Sequence, residues 1–582
     1  MPKKEPVPAR PAGDVEAAPA KPFPLRLHGR LILSFATAAA LFLSFAPFKQ
    51  FYLAWIALVP WLVMVAYAQS KSAAFFLSWL TGILSFSLSM WWVGYVTVPG
   101  AMGLMLYMGI WFGIAALVIR GAGLLRFSDD QPAWRVTLSP FLIATIWVAT
   151  EFTWGNLFTG LPWLYVGHAQ TPILAMCQIA DFASVYGVSF WVVLINAWIA
   201  FLILHRFNFK KLIPSGITIL ALLAIIFAYG FFRMNQQSQL PGPRVMVVQP
   251  NFPQDNSGSK GASQQELVAF HIDATQAALK EAVARNELPD LVAWSETMLP
   301  ELNAIFREYR HGFYFDKTNQ NVGEFLDAVY KQTADLAAAN HVNIVTGGHA
   351  MLPDRPKDGT PQWSRRNSSY LFDRQGHEAA DRYDKIHLVP FGEYMPFRES
   401  FPPLYRIFDI FNPYKGQDYT VEAGKDVTSF TLKGTNGRDF RFVTPICFED
   451  VDSELVARMF AGPGSTKRAD FIVNLTNDGW FATPQMQQHF QLSIFRCIEN
   501  RVPTARSVNT GVSGFIDSVG RVHDLLPIHT VGTKIAQLEL DSRVAPYTHL
   551  GDVFARICAG IAIFVMGFGI WNGMKNRKSR GR

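Results

Sequence analysis

The stretch Phe442-Val443-Thr444-Pro445-Ile446-Cys447-Phe448-Glu449-Asp450 is an apolar run that stops abruptly in a thiol and two acids. Its composition predicts a strand ending at Cys447, and the residues from Asp450 to Phe460 predict a helix after it. A thiol on such a turn is exposed at a sheet edge, with its thiolate near a helix N-terminus. The plain alternative is a small packed residue, so the reading depends on what else the chain delivers to similar turns.

Around this stretch the 582-residue chain is 50% hydrophobic, with mean hydropathy +0.15. That is too apolar for an ordinary soluble protein and too interrupted for a wholly embedded one, so a membrane part and a soluble part are expected. Eight apolar segments have spanning character, near Leu31 to Phe48, Phe51 to Ala68, Ala74 to Val98, Ala101 to Leu125, Val136 to Leu157, Ala180 to Leu204, Leu212 to Phe232 and Val553 to Trp571. The net charge of +7 comes from basic residues clustered beside these spans and at both tails. Such clustering reports topology and argues against nucleic acid as a partner.

Lys3, Lys4, Arg10, Arg26 and Arg30 precede the first span, Arg206, Lys210 and Lys211 follow the sixth, and Lys575 to Arg582 closes the chain. An even span count puts all of these ends on the cytoplasmic side. The expected division is a disordered cytoplasmic tail over 1–30, seven spans over 31–235, an extracytoplasmic α/β domain over 241–547, an eighth span over 552–572 and a basic cytoplasmic tail over 573–582. Within the α/β domain, nine strands are predicted, among them Arg244 to Gln249, Leu291 to Ser295, Phe440 to Ile446 and Phe471 to Leu475, together with helices over Gln264 to Ala284 and Gly323 to Ala339.

Two further strand ends carry chemistry. Glu296 closes Asp290-Leu291-Val292-Ala293-Trp294-Ser295-Glu296-Thr297, and Lys385 lies in the extended run Asp381 to Tyr394. Strand ends on one edge of an α/β sheet converge, so a base, a cation and a thiol can meet there despite their separation in sequence. A thiol needs a proton acceptor and a developing oxyanion needs positive charge. His387 is an alternative base, although an orienting hydrogen bond suits its position better.

Taken together, WSET (294–297), YDKIHLVPFGEY (383–394), PICFED (445–450) and NLTNDGWF (474–481) resemble the nitrilase superfamily, with its Glu-Lys-Cys triad in an αββα sandwich. Seven spans, an outer nitrilase-like domain and one closing span are similar to the apolipoprotein N-acyltransferase family along essentially the whole chain after its tail. The resemblance implies an acyltransferase that moves a phospholipid acyl chain, through a Cys447 thioester, to the α-amine of a diacylglyceryl-cysteine on lipoproteins. It assigns Glu296 as general base, Lys385 as stabiliser of the tetrahedral intermediate and Cys447 as nucleophile, supported by Glu393 and Glu449. Asn477, Trp480, Phe481 and Phe448 become candidates for binding substrate. Glu449 and Asp450 are expected to raise the Cys447 pKa, which favours proton removal by Glu296 over a standing thiolate.

The resemblance also places the protein in a bacterial inner membrane as a multi-pass monomer, with both termini cytoplasmic and the catalytic domain periplasmic. No metal or soluble cofactor is implied. Three departures stand out: Phe448 where many relatives carry Tyr, no Trp within Asn251 to Ala262, and Ala482 where Gly is common. The apolar arm Glu399 to Tyr414 reads either as an interfacial lipid guide or as a core helix. Gly160 to Trp163 reads as a floor of the lipid path or as an interfacial anchor, and Glu151 and Asp181 raise an ion path as a weaker idea. Two rival functions are a membrane-bound amidase using the same triad and a transporter with an outer receptor-like domain. A Cys447–Cys497 disulfide would abolish the nucleophile reading.

Overall fold

The computed structural model describes residues 26–126, 132–205, 209–254, 261–315, 319–354, 362–398, 400–412, 419–481 and 483–580. Most of the expected N-terminal tail, the ends of the Glu399 to Tyr414 arm, Ala482 and the middle of Asn251 to Ala262 lie outside those residues. Eleven helices carry the argument below: α1 (Leu27–Ser44), α2 (Lys71–Ser89), α3 (Val98–Gly121), α4 (Ala133–Asn156), α5 (Ala180–Leu204), α6 (Phe209–Met234), α7 (Gln264–Ala284), α8 (Val322–Asn340), α9 (Ser453–Phe460), α10 (Thr483–Asn500) and α11 (Val553–Arg580).

Among the described residues seven helices, α1 to α6 and α11, are long and apolar enough to cross a membrane. The eighth expected span is a shorter, interrupted helical stretch, Phe51–Ala66. Its interruption has a local cause. The Asn196 side chain takes over one helical hydrogen bond, accepting from the Leu58 N–H at 2.8 Å and donating to the Ala54 carbonyl at 2.9 Å. Pro60 supplies no N–H to repair the break. Sixteen residues of helix cover about 24 Å against ~30 Å for the hydrocarbon layer, so a crossing here leans on the residues that flank the helix.

Among the described residues twelve strands form two six-stranded sheets. The first has the order β12-β1-β2-β3-β4-β5 and the second β11-β10-β9-β8-β7-β6. In chain order they are β1 (Gln239–Gln249), β2 (Leu291–Ala293), β3 (Asn343–Asp354), β4 (Gln362–Phe372), β5 (Tyr383–Asp384), β6 (Phe430–Lys433), β7 (Asp439–Val443), β8 (Phe471–Thr476), β9 (Thr504–Val508), β10 (Gly514–Ile516), β11 (Val522–His523) and β12 (Gly532–Asp541). The central strands are parallel, β1 to β2 to β3 in one sheet and β7 to β8 to β9 in the other. Their C-terminal ends therefore share an edge, the usual place for a site in such a sheet.

Val245, Val247, Leu291 and Ala293 of the first sheet pack on Phe442, Ile472 and Leu475 of the second. The opposite face of the first sheet, through Val248, Val292 and Ile344, is covered by Leu279 of α7 and by Leu326, Val329 and Leu336 of α8. Helix α10 covers the second sheet and belongs to the same apolar cluster as the membrane helices, through Leu492, Phe495 and Ile498. This is an αββα sandwich whose outer helix is wedged against a membrane bundle.

Polar groups fix that junction. Ser184 breaks α5 with φ of 53°, and Glu499 of α10 accepts from the Ser184 hydroxyl at 2.6 Å and the Val185 N–H at 3.3 Å. Fully buried Asp181 pairs with Arg233 at 2.8 Å and with Arg501, just past α10, at 2.6 Å, and accepts from the Tyr229 hydroxyl. Glu151 accepts from the Trp147 indole and the Val166 N–H. These partners give both carboxylates structural work, in place of the ion path considered from sequence. Arg501→Met strands part of the Asp181 charge, and its expected cost is about 3–5 kcal/mol. The check is the melting temperature of the detergent-solubilised protein; an unchanged value would show that the pair does not hold the junction.

Candidate active site

Each predicted residue sits just beyond a strand end. β2 stops at Ala293, and Glu296 follows three residues later. β7 stops at Val443, so Cys447 does not end the strand as expected; it opens a 3-10 turn, Cys447–Val451, with φ of +49°. A side chain in that left-handed region is strained, which holds the sulfur up on a sharp turn. The helix after it begins at Ser453, capped by Asp452 accepting from the Leu455 N–H, and not at Asp450.

The three groups share one pocket. Lys385 is 1% exposed, with its ammonium 2.9 Å from Glu393 and 3.6 Å from Glu296. Glu296 accepts from the Asn367 side-chain amide at 2.8 Å and from the Asn477 backbone N–H at 2.8 Å, and Glu296 and Cys447 lie near enough to act on each other's ionisation. Asn367 also donates to Glu393 at 3.2 Å. Burial raises the Glu296 pKa above the usual carboxylate range, and Lys385 opposes that rise. For Lys385, burial works against the ammonium, but Glu393 and Glu296 outweigh it and hold the lysine charged.

Cys447 is partly exposed, yet enough protein surrounds its sulfur that burial, then the Glu296 charge, pushes the thiol well above its ordinary value. The resting group is a protonated thiol beside a carboxylate acceptor. The source of the charge differs from the sequence expectation: Glu296, Asp478 and Glu393 contribute most among the carboxylates, not Glu449 and Asp450. Glu449 faces backbone, accepting from the N–H groups of Ile446, Ile386 and His387 at 2.7, 2.6 and 3.1 Å and from the Tyr383 hydroxyl at 2.7 Å. It ties the Cys447 turn to the Lys385 segment. Asp450 is neutralised by His489 and Arg506.

The remaining candidates separate. Asn477 lies beside Glu296, and its side chain accepts from Gly479 and Asn509 in an Asx turn. Trp480 is half-buried after that turn, while the Phe481 ring meets Trp92 of the bundle at 5.0 Å. Phe448 packs edge-on to His387 at 5.4 Å. His387 spends Nδ1 on Asp452 at 2.8 Å, consistent with an orienting role. All four cysteines are free thiols, so no Cys447–Cys497 bond forms. Trp163 is buried 5.7 Å from the His489 ring, not lying at an exposed interface. The arm carries a helix, Pro402–Phe408, with no buried residue, and Phe401, Ile407 and Ile410 are more than half exposed. The core-helix reading of the arm fails on that exposure. Asn367, Tyr383 and His489 were not singled out from sequence, because each lies among other polar residues and no pattern sets it apart.

Residues 37–198 match the model of the apolipoprotein N-acyltransferase N-terminal domain. An apolipoprotein N-acyltransferase of Geobacter metallireducens is 28% identical over 526 residues, 88% of this chain and 90% of that protein. One from Chlorobaculum tepidum is 27% identical over 559 residues, 93% and 95% of the two chains. Over most of its length the chain is similar to apolipoprotein N-acyltransferases. Among solved structures, an amidase of the nitrilase superfamily from Nesterenkonia AN1 is similar at 16% identity and a TM-score of 0.34, covering 55% of this chain and 97% of that one. Seven helices long and apolar enough to cross a membrane, a two-sheet αββα sandwich and similarity to named acyltransferases over most of the chain together describe a multi-pass membrane enzyme, and they speak against the transporter reading.

Proposed function

We propose that the enzyme transfers an acyl chain from a phospholipid to the α-amine of an N-terminal diacylglyceryl-cysteine on lipoproteins, through a thioester on Cys447. The observation that carries the reading is the buried Lys385 ammonium held between Glu393 and Glu296, with Cys447 near enough to Glu296 and Lys385 that both act on its thiol. In the first half-reaction Glu296 takes the thiol proton as sulfur attacks the ester carbonyl, and Lys385 stabilises the resulting oxyanion. The carbon–oxygen bond then breaks, Glu296 returns the proton to the leaving alcohol, and lysophospholipid departs. In the second half-reaction the lipoprotein amine attacks the thioester, Glu296 takes a proton from nitrogen, and the sulfur leaves and is reprotonated. An amide has formed and the thiol is restored.

Glu393 keeps Lys385 charged and placed, and Glu449 fixes the turn under Cys447. Asn477, Phe448, Trp480 and Phe481 line the approach of the acyl chain. Attachment to a bilayer follows from physics: carrying a chain of roughly sixteen carbons through water would cost on the order of 12 kcal/mol, at ~0.8 kcal/mol per CH₂. The exposed Phe401, Ile407 and Ile410 of the arm suit a lipid guide. The reading includes a catalytic domain over residues 241–547 on the periplasmic side of a bacterial inner membrane, cytoplasmic termini, and a monomer, because all three reacting groups come from one chain.

The test is mass spectrometry of the full-length enzyme incubated with phospholipid alone. The expected result is an acyl group on Cys447 that persists in water and is discharged by a diacylated lipopeptide. No adduct would refute the reading, and an adduct lost to water before any amine arrives would favour an amidase.

A further inference from the structure

Helix α10 is buried almost throughout, yet it carries Gln485, Gln488, His489, Ser493, Arg496 and Glu499. His489 stands out among them. Its Nε2 is 2.6 Å from Asp450 and its Nδ1 2.8 Å from Asp478. Both ring nitrogens face carboxylate oxygens, so both must carry protons and the ring is an imidazolium. Burial opposes that charge, but Asp450 and Asp478 outweigh it and raise the His489 pKa to about 9.

The surroundings balance the charge. Arg506 of β9 pairs with the second oxygen of Asp450 and, at 3.3 Å, with that of Asp478. The Ser493 hydroxyl donates to Asp450 at 2.6 Å, and the Gln485 amide donates to Asp478 at 3.3 Å. The Trp163 ring, whose indole donates to Gln488 at 2.8 Å, packs over the imidazole from the membrane loop. The cluster thus holds two cations and two anions.

Its carboxylates occupy telling positions. Asp450 is in the same five-residue turn as Cys447, and Asp478 directly follows Asn477, whose N–H grips Glu296. Asp478 also acts through space on the Cys447 thiol. We propose that His489 is a positioning residue for the Cys447–Glu296 pair: its imidazolium clamps the nucleophile's turn to the loop that grips the base, and cancels a carboxylate charge that would otherwise oppose negative charge on the sulfur. The step that benefits is departure of the thiol proton, which leaves negative charge on sulfur or the adjoining oxyanion.

This inference deepens the thioester reading and rests on it for its catalytic meaning, but its test has a separate readout. The full-length enzyme is alkylated with iodoacetamide across a pH series, and modification at Cys447 is located by mass spectrometry, with acyl loading followed in parallel. His489→Gln is expected to slow Cys447 alkylation at pH 8 about tenfold and to move its profile up by about one pH unit. Asp478→Asn, which leaves an excess positive charge, is expected to move the profile down. The double variant His489→Gln/Asp478→Asn restores the charge balance and the donor chain, so its profile returns to within about threefold of the parent's.

Opposite shifts and recovery in the double variant support the inference, because damage to folding would move all three the same way. Unshifted profiles, or a double variant no better than His489→Gln alone, would overturn it and leave the cluster as a buried brace. If His489→Gln does not fold, the downward shift of Asp478→Asn and the profile of the double variant decide alone. Shifted alkylation with no acyl loading in the parent enzyme would refute the thioester reading while keeping the influence of His489 on the sulfur.

Discussion

Cys447→Ala is expected to remove acyl loading to below detection, a loss of more than ~10³-fold, while the protein still folds and keeps its membrane association. The reason is local. Cys447 contributes its sulfur to the pocket but little to the fold, being partly exposed on its turn, whereas Glu449 and Tyr383 hold that turn through backbone and hydroxyl contacts that an alanine leaves intact. Cys447→Ser keeps the shape with a much less acidic nucleophile and should also fail to accumulate adduct. Glu296→Gln separates nucleophile from base: the side chain can still accept the Asn477 N–H, but it cannot take a proton, and loading should fall by about 10²–10⁴-fold. Because burial holds Glu296 above the usual carboxylate range, loading by the parent enzyme should be lost on acidification at a higher pH than an ordinary Glu would give. Retained loading in Cys447→Ala, measured by mass spectrometry of the intact protein, would end the mechanism.

The sequence carried the scaffold better than the junction. The nine predicted strands coincide with observed ones because each is a short apolar run bounded by turn residues, and α7 matches its predicted range because its face is amphipathic. The three strands not predicted, β5, β6 and β11, are two to four residues long, too short for alternation to register. Glu296, Lys385 and Cys447 were legible because each interrupts or ends such a run with a charged or nucleophilic side chain. Asn367 was not, since one amide among the polar residues of β4 carries no periodic signal; only the fold sets it between Glu296 and Glu393. Helix α10 was missed for a related reason. It is buried on nearly every side, and its polar residues meet polar partners from the sheet and the bundle rather than water, so no apolar stripe marks it. The Phe51–Ala66 stretch has the apolar composition of the expected second span but is short and interrupted, and hydropathy could not register the interruption because the Asn196 side chain that causes it lies about 140 positions away.

Lys385→Met should damage both chemistry and stability, and pH separates the two. The lysine is the cation between the buried Glu296 carboxylate and the partly buried Glu393, which also share the Asn367 amide. Removing it leaves like charges facing each other without a counter-ion, a change that costs about 3–5 kcal/mol when both remain ionised. Glu296, already raised by burial, escapes that cost by taking up a proton, so its folded-state pKa rises further above that of the unfolded chain. A carboxylate raised in this way binds protons more readily folded than unfolded, and stability is therefore lost as pH increases through the raised value and regained as it falls. The melting temperature of Lys385→Met should lie well below the parent's at pH 8, with the gap narrowing towards pH 5.5. Acyl loading should not return at the lower pH, because a protonated Glu296 cannot accept the thiol proton and the oxyanion has lost its ammonium, a combined effect of at least ~10³-fold. A stability gap that stays constant across this range would mean that Lys385 does not govern the ionisation of Glu296, and appreciable loading in the variant would remove the lysine from the mechanism.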